Sequence, residues 1–371
     1  MTDQTSARRL DRRALLGMGL SAAAWLTGCA VLGAHAERPL RAQSTAQSTA
    51  PASVISINAP ASPAAPDLQA SVYETTGPYP VRQSDITWTD ATRQRTIPAR
   101  VYRPEGAKRP PVVLYSHGLG GSLRAGEYWG RHWASHGIAS IHLQHAGSDQ
   151  QVFAGMTDRA AIFRRLQAAF TAENLLLRVA DMSFVAAELA AGGEPGGALG
   201  IDASRIGAAG HSFGAATVQA LAGQAYADQA TVDLANVRFL GFVALSPSAR
   251  GRDPATAFGK INRPFFSITG TADRTPGLAD VEPENRLLPF ANMPAGGKYL
   301  LVFAGGEHHM FGGSDQRFSG PSTPARLVAV TRATTTAFWL ATLTGSDAAR
   351  KWLDGPHLRD ILGPEDRWTT K

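Results

Sequence analysis

Arg205-Ile-Gly-Ala-Ala-Gly-His-Ser-Phe-Gly-Ala-Ala-Thr217 is the stretch on which the reading of this chain turns. Arg205 to Ala209 reads as a strand of small residues, Gly210-His211-Ser212-Phe213-Gly214 as a sharp turn, and Ala215 to Gln224 as a helix. Strand, turn and helix with a serine at the apex form a nucleophile elbow, which makes Ser212 a candidate nucleophile. Gly210 and Gly214 have a mechanical purpose, because a serine on a tight, strained turn needs neighbours without side chains. The pattern is short, so the flanking sequence must carry the argument.

Upstream, Pro110-Pro111 opens Val112-Val-Leu-Tyr-Ser116, a continuous apolar run expected of a strand buried on both faces of a parallel sheet. It ends in His117-Gly118-Leu119-Gly120-Gly121, where backbone N–H groups are free to face a developing negative charge. Leu119 and Phe213, the residue after the serine, are therefore the candidate oxyanion-hole donors. Ile97 to Tyr102 is a strand candidate ahead of this run, Glu127 to His136 a helix, and Ile138 to Leu143 the next strand, which completes a β-α-β unit. Asp158 to Ala191 is helical, with Leu175, Val179, Met182 and Val185 at core spacing, and is expected to break into two helices with a cap over the site. Phe239–Leu245, Phe265–Thr269 and Tyr299–Phe303 follow as strands, Ser322–Thr344 as a helix and Gly345–Lys371 as a polar tail. The fold class is α/β, a mostly parallel sheet with helices on both faces and active groups at the strands' C-terminal ends.

A serine nucleophile needs an imidazole base and a carboxylate to orient it. Asp273, in a Gly- and Pro-bounded loop after a strand, is the acid candidate, with Asp280 and Glu282 as rivals. Ala304-Gly-Gly-Glu-His-His-Met-Phe-Gly-Gly313 offers two bases, His308 and His309, on a loop read as extended, where successive side chains diverge so that only one can reach Ser212. His132 and His136 have the four-residue spacing of zinc ligands but lack the HExxH glutamate, so no metal and no cofactor are expected. His142 and His145 are read as local hydrogen-bonding groups, with cleft lining as the alternative.

Tyr115-Ser-His-Gly-Leu-Gly-Gly-Ser122, Trp133-Ala-Ser-His-Gly137, His142-Leu-Gln-His-Ala-Gly-Ser-Asp149 and Gly210-His-Ser-Phe-Gly214 together resemble the bacterial dienelactone-hydrolase-like branch of the α/β-hydrolases, grouped with platelet-activating-factor acetylhydrolases and polyester hydrolases. The likeness spans about residues 80 to 340. It implies an α/β-hydrolase fold, cleavage of carboxylic esters through a Ser-His-Asp triad, and an oxyanion hole that includes Leu119. The family's Gly-x-His-x-x-Phe pattern matches Gly306 to Phe311 when His308 is the base. Two departures are visible: dienelactone hydrolases use cysteine where Ser212 stands, and Ser246-Pro247-Ser248 occupies the place from which eukaryotic platelet-activating-factor enzymes take their acid. The reading from a different class is a lipid-anchored, non-catalytic binding or scaffold protein on the same fold.

The N-terminus reads as an address. Arg12-Arg13 precedes the apolar Ala14–Leu26, too short to span a bilayer, and Leu26-Thr-Gly-Cys29 resembles a lipobox. Residues 1–28 are thus expected to be a twin-arginine signal of lipoprotein type, Cys29 the lipidation site, 29–70 a low-complexity tether, 71–345 the catalytic domain and 346–371 the tail. The expected location is the bacterial cell envelope, exported and lipid-anchored, with an ester substrate and the membrane as partners. Cys29 is the chain's one cysteine, so the mature protein can form no internal disulfide. With 44% hydrophobic and 18% charged residues the 371-residue chain is globular in composition. Arg8, Arg9, Arg12 and Arg13 against Asp3 and Asp11 put +2 of the net +6 in the signal segment, which leaves +4 on the remainder. The remaining arginines are scattered, which argues against nucleic-acid binding. Oligomeric state is left open.

Overall fold

The computed structural model describes residues 72–226, 239–250, 253–275, 277, 280–314 and 323–371; the signal segment, Cys29 and the tether lie outside the described residues. Nine strands form one sheet in the order β1-β2-β4-β3-β5-β6-β7-β8-β9. They are β1 (Val81–Asp90), β2 (Arg95–Pro104), β3 (Val112–Ser116), β4 (Ala139–Leu143), β5 (Ile206–His211), β6 (Gly241–Leu245), β7 (Phe265–Ala272), β8 (Lys298–Glu307) and β9 (Arg367–Thr370). β3 to β8 run parallel, while β1, β2 and β9 are antiparallel at the two edges. β3, β4, β5 and β6 are buried at every residue, as their continuous apolar composition requires.

Helices α1 (Glu127–Ser135), α2 (Arg159–Ala169), α3 (Ala172–Ala191), α4 (Phe213–Leu221), α5 (Pro254–Phe258), α6 (Leu288–Asn292), α7 (Ala325–Thr344), α8 (Asp347–Asp354) and α9 (His357–Ile361) complete the unit. Alternation along the strands sends Val113, Tyr115, Ala209, Val243 and Phe266 into one cluster with Trp129 and Trp133 of α1 and Phe338 and Trp339 of α7. On the opposite face α3 packs on α4 and β3, burying Leu175, Val179, Met182 and Val185 as their spacing predicts.

The helical stretch after Asp158 does break in two, because Phe170 leaves the helical conformation and Thr171 caps the next helix through its hydroxyl, which accepts from the Asn174 N–H at 3.1 Å. Only Ala169 of α2 is buried, so any covering of the site falls to α2 and Phe170, and α3 is core. Two other expectations need correction. The 346–371 segment is not a polar tail: α8 and α9 bury Trp352, Leu353 and Leu358, and β9 pairs with β8, placing the Trp368 ring 5.3 Å from Phe266. Its apolar residues are few and spaced among charges, so local composition hides them. The second is β8, which runs on past Phe303 to Glu307.

The chain leaves β3 towards β4 on one side and returns to β5 on the other. That reversal opens a crevice at the C-terminal ends of β3 and β5, the usual ligand position in an open α/β sheet.

Candidate active site

Ser212 stands between β5 and α4 with φ 57° and ψ −114°, a positive-φ conformation that a non-glycine residue keeps only when its surroundings impose it. Its N–H is tied to Leu245 O at 2.9 Å. Gly210 and Gly214 make the turn possible: a Cβ on Gly214 would overlap Ser116 O, and one on Gly210 would lie 2.5 Å from Gly214 O. The result is a half-buried hydroxyl at the crevice mouth.

Ser212 Oγ lies 2.8 Å from His308 Nε2, and His308 Nδ1 lies 2.7 Å from Asp273 Oδ1. Serine, acid and histidine occur in that chain order, on the turns after β5, β7 and β8. His308 opens a 3₁₀ turn, His308–Gly312, in place of the extended loop expected from sequence; three residues per turn send His308 and His309 in directions well apart. His309 instead pairs with Glu307 at 3.5 Å. Phe311 of the same turn is buried against Phe303. Of the rival acids, Asp280 is exposed and accepts the Gly277 N–H at 2.6 Å, and Glu282 pairs with Arg274 at the surface. Neither reaches His308.

The electrostatics follow from burial and pairing. Burial alone would raise the Asp273 carboxyl, but the His308 hydrogen bond, the Arg286 guanidinium and the Thr269 hydroxyl outweigh it and bring it down to about 2. Thr269 Oγ1 donates to Asp273 Oδ2 at 2.7 Å, and Arg286 Nε sits 3.2 Å from Oδ1. Arg286 also donates to Ser246 O and Pro247 O, which fixes it as a brace between the turns after β6 and β7. For His308, burial lowers the imidazole below its ordinary value and Arg286 adds to that, while Asp273 opposes it. Arg286 Nη2 lies 3.2 Å from His308 Nδ1, but that nitrogen carries the proton given to Asp273, so the contact adds positive charge and no hydrogen bond. His211, next to the serine, donates from Nε2 to His308 O at 3.0 Å and so holds the base's backbone from behind. Burial holds its imidazole down to about 3, which keeps it neutral.

Leu119 and Phe213 both line the pocket in front of Ser212, together with Phe170, Ala216, Ser248, Arg250, Thr275 and Arg286. Among the described hydrogen bonds neither the Leu119 nor the Phe213 N–H has a protein acceptor, so both remain available to a ligand. Phe170 reaches the pocket from the α2–α3 break, its ring 4.8 Å from that of Phe213.

The other four histidines singled out in the sequence have partners away from Ser212. His132 and His136 bond to Tyr73 O and Thr75 O, and no group of three or more metal-binding side chains occurs among the described residues. His142 bonds locally to Ser140 and Ala125 O, whereas His145 does not: its Nδ1 meets Asp181 at 3.1 Å and its Nε2 the Ser116 hydroxyl. Sequence reasoning missed Arg286 and Thr269, which hold the Asp273 carboxylate. Only Thr269, a polar residue four before the acid on an apolar strand, carried a sequence signal. Compared with protein-family models the chain matches none, and no curated protein is significantly similar to it.

Proposed function

We propose that this chain is a serine hydrolase of carboxylic esters, built on an α/β-hydrolase fold and akin to the dienelactone-hydrolase-like group in its motifs. The observation that carries the reading is the continuous Ser212–His308–Asp273 hydrogen-bond relay, with two unoccupied backbone donors beside the serine. His308 takes the Ser212 proton as Oγ attacks the ester carbonyl carbon, and the oxyanion formed is held by the Leu119 and Phe213 N–H groups. Collapse breaks the bond to the alkoxy oxygen, which leaves as the alcohol with the proton from His308, and an acyl-enzyme remains. Water then gives a proton to His308 as its oxygen attacks the acyl carbon, and collapse breaks the bond to Ser212 Oγ, which takes the proton back from His308 as the acid leaves. Asp273 stays ionised throughout and stabilises the imidazolium. An N-terminal lipid at Cys29 holds the enzyme in the bacterial envelope under this reading, with esters reaching it from solution or from the membrane.

The test is hydrolysis of short p-nitrophenyl esters by the wild type and three variants. Ser212→Ala and His308→Ala should each lose about 10³-fold or more in turnover while remaining folded, and His309→Ala should stay within roughly tenfold. A folded wild type with no hydrolysis and no labelling by a fluorophosphonate would favour the scaffold reading instead.

A further inference from the structure

Arg178, on α3, is fully buried, yet every acceptor of its guanidinium is neutral. Nε donates to the Ser148 hydroxyl at 2.8 Å and Nη2 to Ser148 O at 3.1 Å. Nη1 donates to His117 O at 2.5 Å and more weakly to the Ser116 hydroxyl at 3.4 Å, and Nη2 reaches Gly118 O at 3.4 Å. Asp181 and Asp149 act on it only through space, and burial brings the guanidinium down to about 9, still charged at neutral pH. A buried cation without a carboxylate in contact is costly to keep.

Its neighbours suggest a purpose. Gly118 O belongs to the same peptide plane as the Leu119 N–H, one of the two proposed oxyanion donors. That single carbonyl accepts three times: from Gly121 N at 3.0 Å, from His117 Nδ1 at 2.6 Å and from Arg178. The His117 tautomer is set by the fold, since His145 N donates to Nε2 and leaves the proton on Nδ1. Because the peptide is planar, anchoring its carbonyl fixes the direction in which the Leu119 N–H points. Charge on the carbonyl side also polarises the N–H and strengthens it as a donor. The second donor is braced by the same group, with the guanidinium 4.4 Å above the Phe213 ring.

We infer that Arg178 is a positioning residue of the oxyanion hole: it aims and polarises the Gly118–Leu119 peptide and seats Phe213, so that both N–H groups converge on the developing oxyanion. This rests on the ester-hydrolase reading above. Positioning of this kind acts on the transition state and leaves ground-state binding alone.

The test uses full-length protein, wild type beside Arg178→Lys and Arg178→Met, with active sites counted by a fluorophosphonate reaction run to completion. Per active site, kcat on p-nitrophenyl butyrate should fall roughly tenfold in Arg178→Lys and about 10²-fold in Arg178→Met, with KM within about twofold. The Ki of butylboronic acid, whose tetrahedral serine adduct places an oxygen in the hole, should rise by a similar factor. A purely structural role would lower the count of active sites or the melting temperature and leave these per-site values alone. Variants matching the wild type per site, a loss carried by KM, or an unchanged boronate Ki would overturn the inference while the hydrolase reading stands. Should Arg178→Met fail to fold, Arg178→Lys decides alone. A wild type without hydrolysis or labelling would remove the hydrolase reading and this inference together.

Discussion

Arg286 touches Asp273 and His308 at once, and under the proposed reading its effect should be measurable in the pH dependence of catalysis. The base works only when His308 is unprotonated, so activity rises as pH passes upward through its pKa. Burial and Arg286 both lower that pKa from its ordinary 6.5, so the acid limb of kcat/KM should lie below that value. Removing the cation removes one of the lowering effects, and the limb of Arg286→Gln should move upward. A wild-type limb above 7, or one that does not move in the variant, would contradict the assigned geometry. Arg286 left no trace in the sequence because its partners lie on separate turns, Asp273 13 residues away and Ser246 40 residues away. Ser212 was legible because the turn that exposes it is built from adjacent residues.

Among the elements, β9 with α8 and α9 departs furthest from the sequence reading. β9 covers the β8 edge that a strand otherwise leaves open to a second chain, and Asp366 accepts from Ala304 N at 2.9 Å and holds an ion pair with Arg326. Trp352→Ala should therefore cost about 3 kcal/mol of unfolding free energy by urea titration, as expected for a large buried side chain. A change below about 0.5 kcal/mol, the range of surface substitutions, would return the segment to the status of a tail. Deleting residues 346–371 should bare the β8 edge and lower the yield of soluble protein. The α2–α3 break and a cap over the site were expected in outline, but not that Phe170 is the residue brought to the pocket, which depends on where α4 puts Phe213.

Across the whole molecule, the described site residues all fall within one unit, Ala70–Lys371. No helix among the described residues is long and apolar enough to cross a membrane. The proposed reading places membrane association on Cys29, and under it the Cys29→Ala protein should move from the membrane to the soluble fraction with kcat/KM on a short soluble ester within about twofold. Full retention on membranes would count against lipidation.

Strand and helix identity, the serine turn and the residues of the relay were written in the sequence, because each depends on local terms: apolar runs, glycines beside a strained residue, and the order of turns after successive strands. His308 rather than His309 was also legible, but through a motif. Local sequence did not reveal the pairing of the buried polar groups around the site. Arg178, Asp181, Arg286 and His145 are polar residues whose burial is tolerated only because distant backbone carbonyls and side chains surround them, and that pairing exists only once the sheet has brought the ends of β3, β5, β7 and β8 together. The same holds for β9, whose few apolar residues mean little until β8 presents the edge they cover.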